Sequence, residues 1–188
     1  ASPMTHIQII VPVAHPHLHL LDECLESIKS NTPTEHVVNL AVGQAHLEDR
    51  VGEILARARA VYPNTGLTIT TCNPELGYNG VVMEVLQASD FPYTLVLPAT
   101  HRIEDSEWFG KMQLPHIRAP GCGMTFAFDD LEANTRPAYP WEWKVTVPSK
   151  VFMLQRAIMG SVSGTPLNED GEDIATAIRD RLRSVATN

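Results

Sequence analysis

Three histidines alternate along the sequence directly after a short apolar run near the start of the chain. His15, His17 and His19 lie in the stretch AHPHLHL. A His-x-His pair at the end of a strand is a metal-ligand pattern in some hydrolases, because imidazole nitrogens bind zinc. The three side chains share one side only while the backbone is extended, and they diverge if a helix begins near Leu18. The pattern favours solvated loop histidines, with the zinc site of a metal hydrolase as the weaker alternative.

The stretch NPELGYNG, residues 73–80, combines two glycines with the expected start of a helix. Gly77 and Gly80 would let the backbone approach a ligand closely, and a helix N-terminus favours an anionic group. The spacing is not the G-x-G-x-x-G pattern of dinucleotide-binding proteins. A plain strand-to-helix turn and an anion-binding loop explain this stretch about equally well.

Glu172 and Asp173 are candidates for proton transfer at the start of the last predicted helix. A carboxylate whose pKa is tuned by burial can act as a general base. Carboxylates in the first turn of a helix are also favoured by the helix dipole, without any catalytic role. On spacing alone, this structural role is favoured over the catalytic one.

Trp141 and Trp143 follow Tyr139 in a segment rich in aromatic residues and proline. Such side chains can form a flat apolar platform that binds a ring. They could equally cover the core where the regular alternation of elements ends, so both interpretations stay open.

Hydrophobic periodicity predicts the elements that must position these residues. Buried strands are expected over 6–13, 36–42, 67–72 and 93–97, and amphipathic helices over 18–30, 47–62 and 80–89. This alternation argues for a parallel sheet with right-handed crossovers. The second half is less regular. A short helix is expected over 105–112, strands over 123–128 and 144–147, an ambiguous element over 151–159 and a closing helix over 171–184.

Length and composition favour one soluble domain. The 188 residues are 44% hydrophobic and 19% charged, and the net charge of −8 is the wrong sign for a broad grip on nucleic acid. We expect no membrane span, no signal peptide and a cytoplasmic location, with residues 1–3 as a cloning remnant. The cysteines form no C-x-x-C pair and are expected to be buried free thiols, a catalytic cysteine being the minor alternative. They are Cys24, Cys72 and Cys122.

Taken in order, several stretches resemble family 2 glycosyltransferases, which are inverting nucleotide-sugar enzymes. They are IQIIVPVAHPHLHLLDECLESI, HVVNLAVG, NPELGYNG, YTLVLPATHRIEDSEWF and GEDIATAIRDRL. The resemblance implies an α/β fold of the GT-A type. This is a Rossmann-like, mostly parallel sheet with helices on both faces, formed by a single domain over 4–188. Residues 4–100 would be the nucleotide-binding half and 101–188 the acceptor-side half.

The chain departs from the family pattern where acidic residues are expected. The family's DXD motif falls on Pro98-Ala99-Thr100, and its Asp-rich turn falls on residues 40–43, LAVG. The family's Asn after the first strand is replaced around Ala14 and His15. Since DXD normally holds a divalent ion on the diphosphate, the resemblance implies a degenerate motif and weak or absent dependence on Mn²⁺ or Mg²⁺.

The resemblance also implies roles for single residues. Asp173 matches the catalytic base, with Glu172 as its neighbour. The acceptor would bind at Trp141 and Trp143. The donor, a nucleotide sugar of the UDP type, would bind at Pro12, Val13, Ala14, His15, Asn73, Gly77, Thr100, His101 and Arg102.

A cation must still stabilise the departing diphosphate, and no metal site is expected beyond a minor role for His101. Two residues near the vacated motif and two further along the chain are the candidates: His101, Arg102, Lys150 and Arg156. The leading hypothesis is an inverting glycosyltransferase with an unknown acceptor. The alternative is an inactive GT-A protein that serves as a binding or scaffold protein. Completion of the acceptor site by a homo-oligomer is also considered.

Overall fold

Six strands form one mixed sheet. The structure is a computed structural model that describes residues 7–13, 20–33, 35–43, 50–63, 66–73, 75–118, 123–127, 150–167 and 174–186. The strands are β1 (Ile7–Val13), β2 (His36–Val42), β3 (Leu67–Thr71), β4 (Tyr93–Val96), β5 (Met124–Ala127) and β6 (Val151–Gln155), in the order β3-β2-β1-β4-β6-β5. β1 pairs in parallel with β2 and β4, and β2 with β3. β6 is antiparallel to both neighbours, β4 and β5.

Helices cover both faces of this sheet. They are α1 (Leu21–Asn31), α2 (Val51–Val61), α3 (Tyr78–Gln87), α4 (Trp108–Arg118), the short α5 (Met159–Val162) and α6 (Ile174–Ala186). A 3₁₀ turn over Arg156–Ile158 precedes α5. Among the described residues, no helix is both long enough and apolar enough to cross a membrane.

β1 separates two apolar cores. Its alternate residues, such as Ile9 and Val11, pack on one face with residues of α1, α2 and α4. Ile10 faces the other side, where α3, α5 and α6 contribute. Every residue of β1 is buried, as expected for a central strand covered on both faces. Each fully buried isoleucine contributes about 1.5–3 kcal/mol to stability.

The first half of the chain follows the sequence prediction closely. All four predicted strands and all three predicted helices up to residue 97 are present, with shifts of a few residues at their ends. These elements have strong local periodicity, and their parallel pairing confirms the predicted class of sheet.

The second half differs from the prediction in two described elements. α4 runs to Arg118, beyond the predicted end at Met112, although Pro115 lies within it and cannot donate to the carbonyl of Lys111. The ambiguous stretch 151–159 divides into β6 and the 3₁₀ turn. The strand predicted over 144–147 lies outside the described residues.

Candidate functional site

The carboxyl ends of four parallel strands, β1 to β4, meet at one edge of the sheet. From β1 the chain continues outward to β2 and β3 on one side, and then places β4 on the other side. Ligands of open α/β sheets bind outside the strand ends at such a change of direction. We call this region the carboxyl edge. It comprises Val13, Gly43, Cys72 and Leu97 with the residues that follow each of them, and it is the candidate site.

A proline ends the pairing of β1 with β4 at this edge. Leu97 N donates to Ile10 O at 2.9 Å, and Ala99 N donates to Pro12 O at 3.3 Å. Pro12 has no N–H that could donate back to β4. The two strand ends can therefore separate here, with Pro12 and Val13 beside the segment that follows β4.

Residues 98–101 form a hydrogen-bonded turn where the DXD motif was expected. His101 N donates to Pro98 O at 3.0 Å. Thr100 is exposed, and its Oγ1 lies 2.9 Å from His101 Nδ1. Mg²⁺ and Mn²⁺ favour oxygen-rich sites, which a hydroxyl and an imidazole do not supply.

The parts of the chain that the structure describes hold no group of three His, Cys, Asp or Glu side chains arranged for a metal ion. Among these described residues, His101, named from the sequence as a minor metal candidate, therefore belongs to no such group. The donor set at residues 98–101 does not fit a divalent cation.

α1 holds the segment that follows this turn. Ile103 N donates to Ser27 Oγ at 3.0 Å, and Asn31 Nδ2 donates to Ile103 O at 2.7 Å. Trp108 Nε1 donates to Thr32 Oγ1 at 3.2 Å. These bonds fix the path of the chain between β4 and α4, so the position of the turn does not depend on sheet pairing alone.

Two cysteine thiols near the carboxyl edge are protonated at neutral pH. Burial raises the pKa of Cys24 to about 12. Burial, together with a hydrogen bond to Glu84 and its charge, raises the pKa of Cys72 to about 12. Because the thiolate is the reactive form, neither thiol is suited to nucleophilic catalysis. Both are free and buried, as the sequence predicted, and Cys122 lies outside the described residues.

Arg102 is balanced by two carboxylates. Its Nη2 lies 3.0 Å from Glu104 Oε1, and its Nη1 lies 4.0 Å from Glu23 Oε2 in the first turn of α1. The guanidinium therefore points at acidic groups of this chain, and their negative charge weakens its attraction for an anionic ligand.

Asn73 and Gly77 lie where β3 passes into α3. Asn73 Oδ1 accepts a hydrogen bond from Glu75 N at 2.9 Å, and its carbonyl accepts one from Leu76 N at 3.0 Å. Gly77 has extended backbone angles and accepts the bond from Val81 N at 3.0 Å that opens the helix. The Asn73 oxygen thus stabilises the turn, and the start of α3 lies at the carboxyl edge.

Lys150 and Arg156 lie at opposite ends of β6. Lys150 is exposed and directly precedes the strand, at the carboxyl edge. Arg156 follows the strand, donates its N–H to Pro92 O at 3.0 Å and lies 3.7 Å from Asp90. Arg156 is therefore at the amino edge of β4, and its proposed contact with a diphosphate is excluded by position.

The remaining predicted site residues lie outside the described ranges. They are Ala14 and His15 of the donor set, the further histidines His17 and His19, the aromatic residues Trp141 and Trp143, and the carboxylates Glu172 and Asp173.

Sequence reasoning missed the part that Gly43 plays in the site. A Cβ at this position would lie 2.0 Å from Cγ2 of Val81, so the end of β2 and the first turns of α3 approach closely. A lone glycine at the end of an apolar strand is the sequence signal for such an approach. That signal does not identify which helix would come near.

No protein-family model matches the chain, and no curated protein sequence matches it. Its structure is similar to solved glycosyltransferases. Glucosyl-3-phosphoglycerate synthase from Mycobacterium tuberculosis, solved with Mn²⁺, UDP-glucose and phosphoglyceric acid, gives a TM-score of 0.63 at 12% identity, over 98% of this chain and 66% of that one. A mannosyltransferase from Pyrobaculum calidifontis, solved with GDP-mannose and Mn²⁺, gives 0.63 at 15% identity, over 88% of this chain and 48% of that one.

The synthase with phosphoglyceric acid alone gives a TM-score of 0.56 at 13% identity. In that comparison 84% of this chain matches 59% of the synthase, so the chain spans about three fifths of the synthase's length. The similarity confirms the predicted fold class: this chain has the GT-A-type fold of these glycosyltransferases, with a mixed six-stranded sheet and flanking helices.

Proposed function

We propose that this chain is a glycosyltransferase that uses a nucleotide sugar, inverts the anomeric centre and depends little or not at all on a divalent metal. The observation that carries the proposal is the carboxyl edge on this fold, where the chain changes direction between β1 and β4. Proteins with the same fold were solved with UDP-glucose and GDP-mannose. A UDP-type donor is our first choice.

The donor would bind along the carboxyl edge. Pro12 and Val13, with Ala14 and His15 after them, would contact the nucleoside. The turn with Thr100 and His101 would lie toward the diphosphate. Arg102 would act on the donor only weakly, because Glu23 and Glu104 already balance its charge.

The start of α3 would add to this donor site. Gly77 and the backbone N–H groups after it can face an anionic group, as helix N-termini commonly do. Asn73, whose oxygen is engaged in the turn, would present its amide N–H₂. Trp141 and Trp143 would bind the acceptor, and in one arrangement a second subunit would complete the acceptor site.

Asp173 would act as the general base, with Glu172 as the alternative. It would take the proton from the acceptor hydroxyl as that oxygen attacks the anomeric carbon. The bond to the diphosphate breaks at the same time, and its electron pair leaves with the nucleoside diphosphate. A single displacement from the opposite face inverts the anomeric centre.

The course of α6 supports this role for Asp173. Leu182, late in the helix, lies near Gly123, which precedes β5 at the amino edge, and Arg181 Nε donates to Ser161 O at 3.4 Å. Ile174 begins the helix eight residues earlier, about 12 Å from Leu182 along the axis. Ile174, the residue after Asp173 in the sequence, therefore lies at the end of α6 that is away from these contacts.

The first test is a thermal-shift panel of UDP, GDP, UDP-glucose and GDP-mannose, each in EDTA and in Mn²⁺. A ligand at about a hundred times its dissociation constant stabilises the native state by about 2.7 kcal/mol, which corresponds to about 5 °C or more here. We expect one nucleoside diphosphate and the corresponding nucleotide sugar to raise the melting temperature, and the rise should be the same in EDTA as in Mn²⁺. The absence of a shift with all four ligands would contradict the proposal.

The role of Asp173 is tested with D173N. We expect turnover with the best donor to fall by about a hundredfold or more, because general-base catalysis is lost. The donor should still raise the melting temperature of the variant. E172Q is the matched control and should keep most of the activity. Unchanged turnover in D173N would reject its role as the base.

An inactive binding or scaffold protein remains the second candidate function. It is favoured by the turn at residues 98–101, which carries no carboxylate. In that case the panel would show nucleotide binding without transfer or donor hydrolysis, or no binding at all. The metal hydrolase alternative depends on His15, His17 and His19, and zinc bound stoichiometrically and lost on their substitution would support it.

A further inference from the structure

The proposed reaction releases a nucleoside diphosphate, whose negative charge must be stabilised as the bond breaks. The solved proteins of this fold were crystallised with Mn²⁺ or Mg²⁺ in several cases. In this chain the turn at residues 98–101 lacks the oxygen ligands that such ions favour. A cation supplied by the protein is therefore needed near the end of β4.

The pairing of β4 with β6 brings Lys150 to this position. Val96 pairs with Phe152 as the last pair of the antiparallel ladder. Continued by two residues on each strand, the same register sets Lys150 opposite Pro98. Directly opposed residues of an antiparallel pair have Cα atoms about 5 Å apart.

Core packing supports this continuation of the register. Leu97 and Ala99 on one strand end, and Val151 on the other, are buried in the same apolar cluster. This burial on one face of the sheet is what the continued register requires, because that register sets Leu97 opposite Val151. Lys150 is exposed, so its ammonium lies at the surface of the carboxyl edge.

The other cations named from the sequence are less suited than Lys150 to stabilise the departing diphosphate. Arg156 is at the amino edge, at the far end of β6. Arg102 is ion-paired with Glu23 and Glu104. His101 shares a hydrogen bond with Thr100 through Nδ1. Lys150, in contrast, forms no ion pair with any side chain in the described ranges.

We propose that Lys150 binds the β-phosphate of the donor and neutralises the departing nucleoside diphosphate in place of a divalent metal. A lysine ammonium is a compact charge on a flexible stem with three N–H donors, which suits a phosphate. The proposal rests on the proposed function and adds to it the group that replaces the metal.

The test compares K150A with the wild-type protein by isothermal titration calorimetry in EDTA, with the nucleoside diphosphate and monophosphate of the base that the panel selects. The two ligands differ by the β-phosphate that Lys150 would contact. We expect K150A to bind the diphosphate about tenfold more weakly or worse, and the monophosphate with nearly unchanged affinity. K150R should recover part of the loss. The melting temperatures of the variants confirm that they are folded.

R156A is the matched control, because it removes one exposed positive charge from the opposite end of the same strand. It should bind both nucleotides as the wild type does. Equal diphosphate affinity in K150A and wild type would reject the role of Lys150 and leave the transferase proposal standing. A similar loss of diphosphate affinity in R156A would also reject it, because the loss would then come from the lower net positive charge and not from a contact at Lys150. No nucleotide binding by the wild type, in EDTA or in Mn²⁺, would reject both proposals.

Discussion

Cys24 supports the strand end that carries the candidate site. Its side chain is fully buried, and Sγ lies 4.0 Å from the carbonyl oxygen of Pro98. The protonated thiol can donate weakly to that oxygen, whereas a thiolate at this buried position would lose its hydration. Burial raises the pKa of Cys24 to about 12, from the ordinary value of 9.0.

This pKa makes stability depend on pH above 9. In the unfolded chain the thiol ionises near its ordinary pKa, whereas in the native protein it stays protonated up to about pH 12. The stabilisation is therefore fully present below pH 9 and is lost progressively as the pH rises through 12. Between pH 8 and 10 we expect this group to reduce the free energy of unfolding by about 1 kcal/mol.

C24A isolates that contribution. Denaturant titrations of wild type and C24A at pH 8 and 10 should show a smaller loss of stability in the variant, by about the same 1 kcal/mol. The comparison uses the change between the two pH values, so the packing cost of the substitution cancels. An equal pH-dependent loss in both proteins would contradict the assigned pKa.

Single residues also show where sequence reasoning reached its limit. His101 and Arg102 directly follow the vacated motif, so local spacing places them nearer to it than Lys150. Arg102 is paired with carboxylates, and one of them, Glu23 on α1, lies 79 positions earlier in the chain. The position of Lys150 follows from the antiparallel pairing of β4 with β6. Neither relation is visible in local spacing, because both depend on contacts between distant segments.

At the scale of elements, local periodicity was sufficient for β1 to β4 and for the helices between them. These strands are buried, rich in β-branched residues and separated by helices with clear apolar faces. β6 was ambiguous because a buried apolar run has no diagnostic period. Its insertion between β4 and β5 is a long-range pairing. The prediction ended α4 too early, because the local pattern does not show that His116 is buried on the same side of the helix as Met112.

The contact between α3 and β2 makes a specific prediction about Gly43. In G43A the new methyl group would overlap Cγ2 of Val81, so the Val81 side chain must change its conformation or α3 must shift away from the strand. We expect a loss of about 1–3 kcal/mol in the free energy of unfolding, as for other overpacked cores. Urea titration measures this loss. The double variant G43A/V81A should be destabilised less than the sum of its two single variants, because the overlap is removed.

Gly52 provides the control for this substitution. It lies in α2, where a Cβ would meet nothing within 4 Å. Because alanine is the better helix former, G52A should leave stability unchanged or raise it by about 0.5–1 kcal/mol. If G43A behaved as G52A does, the close approach of α3 to the end of β2 would be disproved.

At the scale of the whole molecule, β6 joins the two halves of the chain. The half over 4–100 contains β1 to β4, whereas the half over 101–188 contains β5 and β6. β6 pairs with β4, and Met153 of β6 is buried in the same cluster as Ile9 of β1. The apolar core and the sheet therefore both cross the division at residue 100 that the family resemblance implies.

A fragment that ends at residue 104 tests this unity. Without β6, β4 becomes an unpaired edge strand, and the apolar face that Trp108, Met112 and Met153 cover is exposed. We expect the fragment to aggregate or to lack a cooperative unfolding transition, while the full chain unfolds in a single step. Circular dichroism in a urea series measures both. Cooperative unfolding of the isolated fragment would show that the first half of the chain folds alone, and the two halves would then be separate domains.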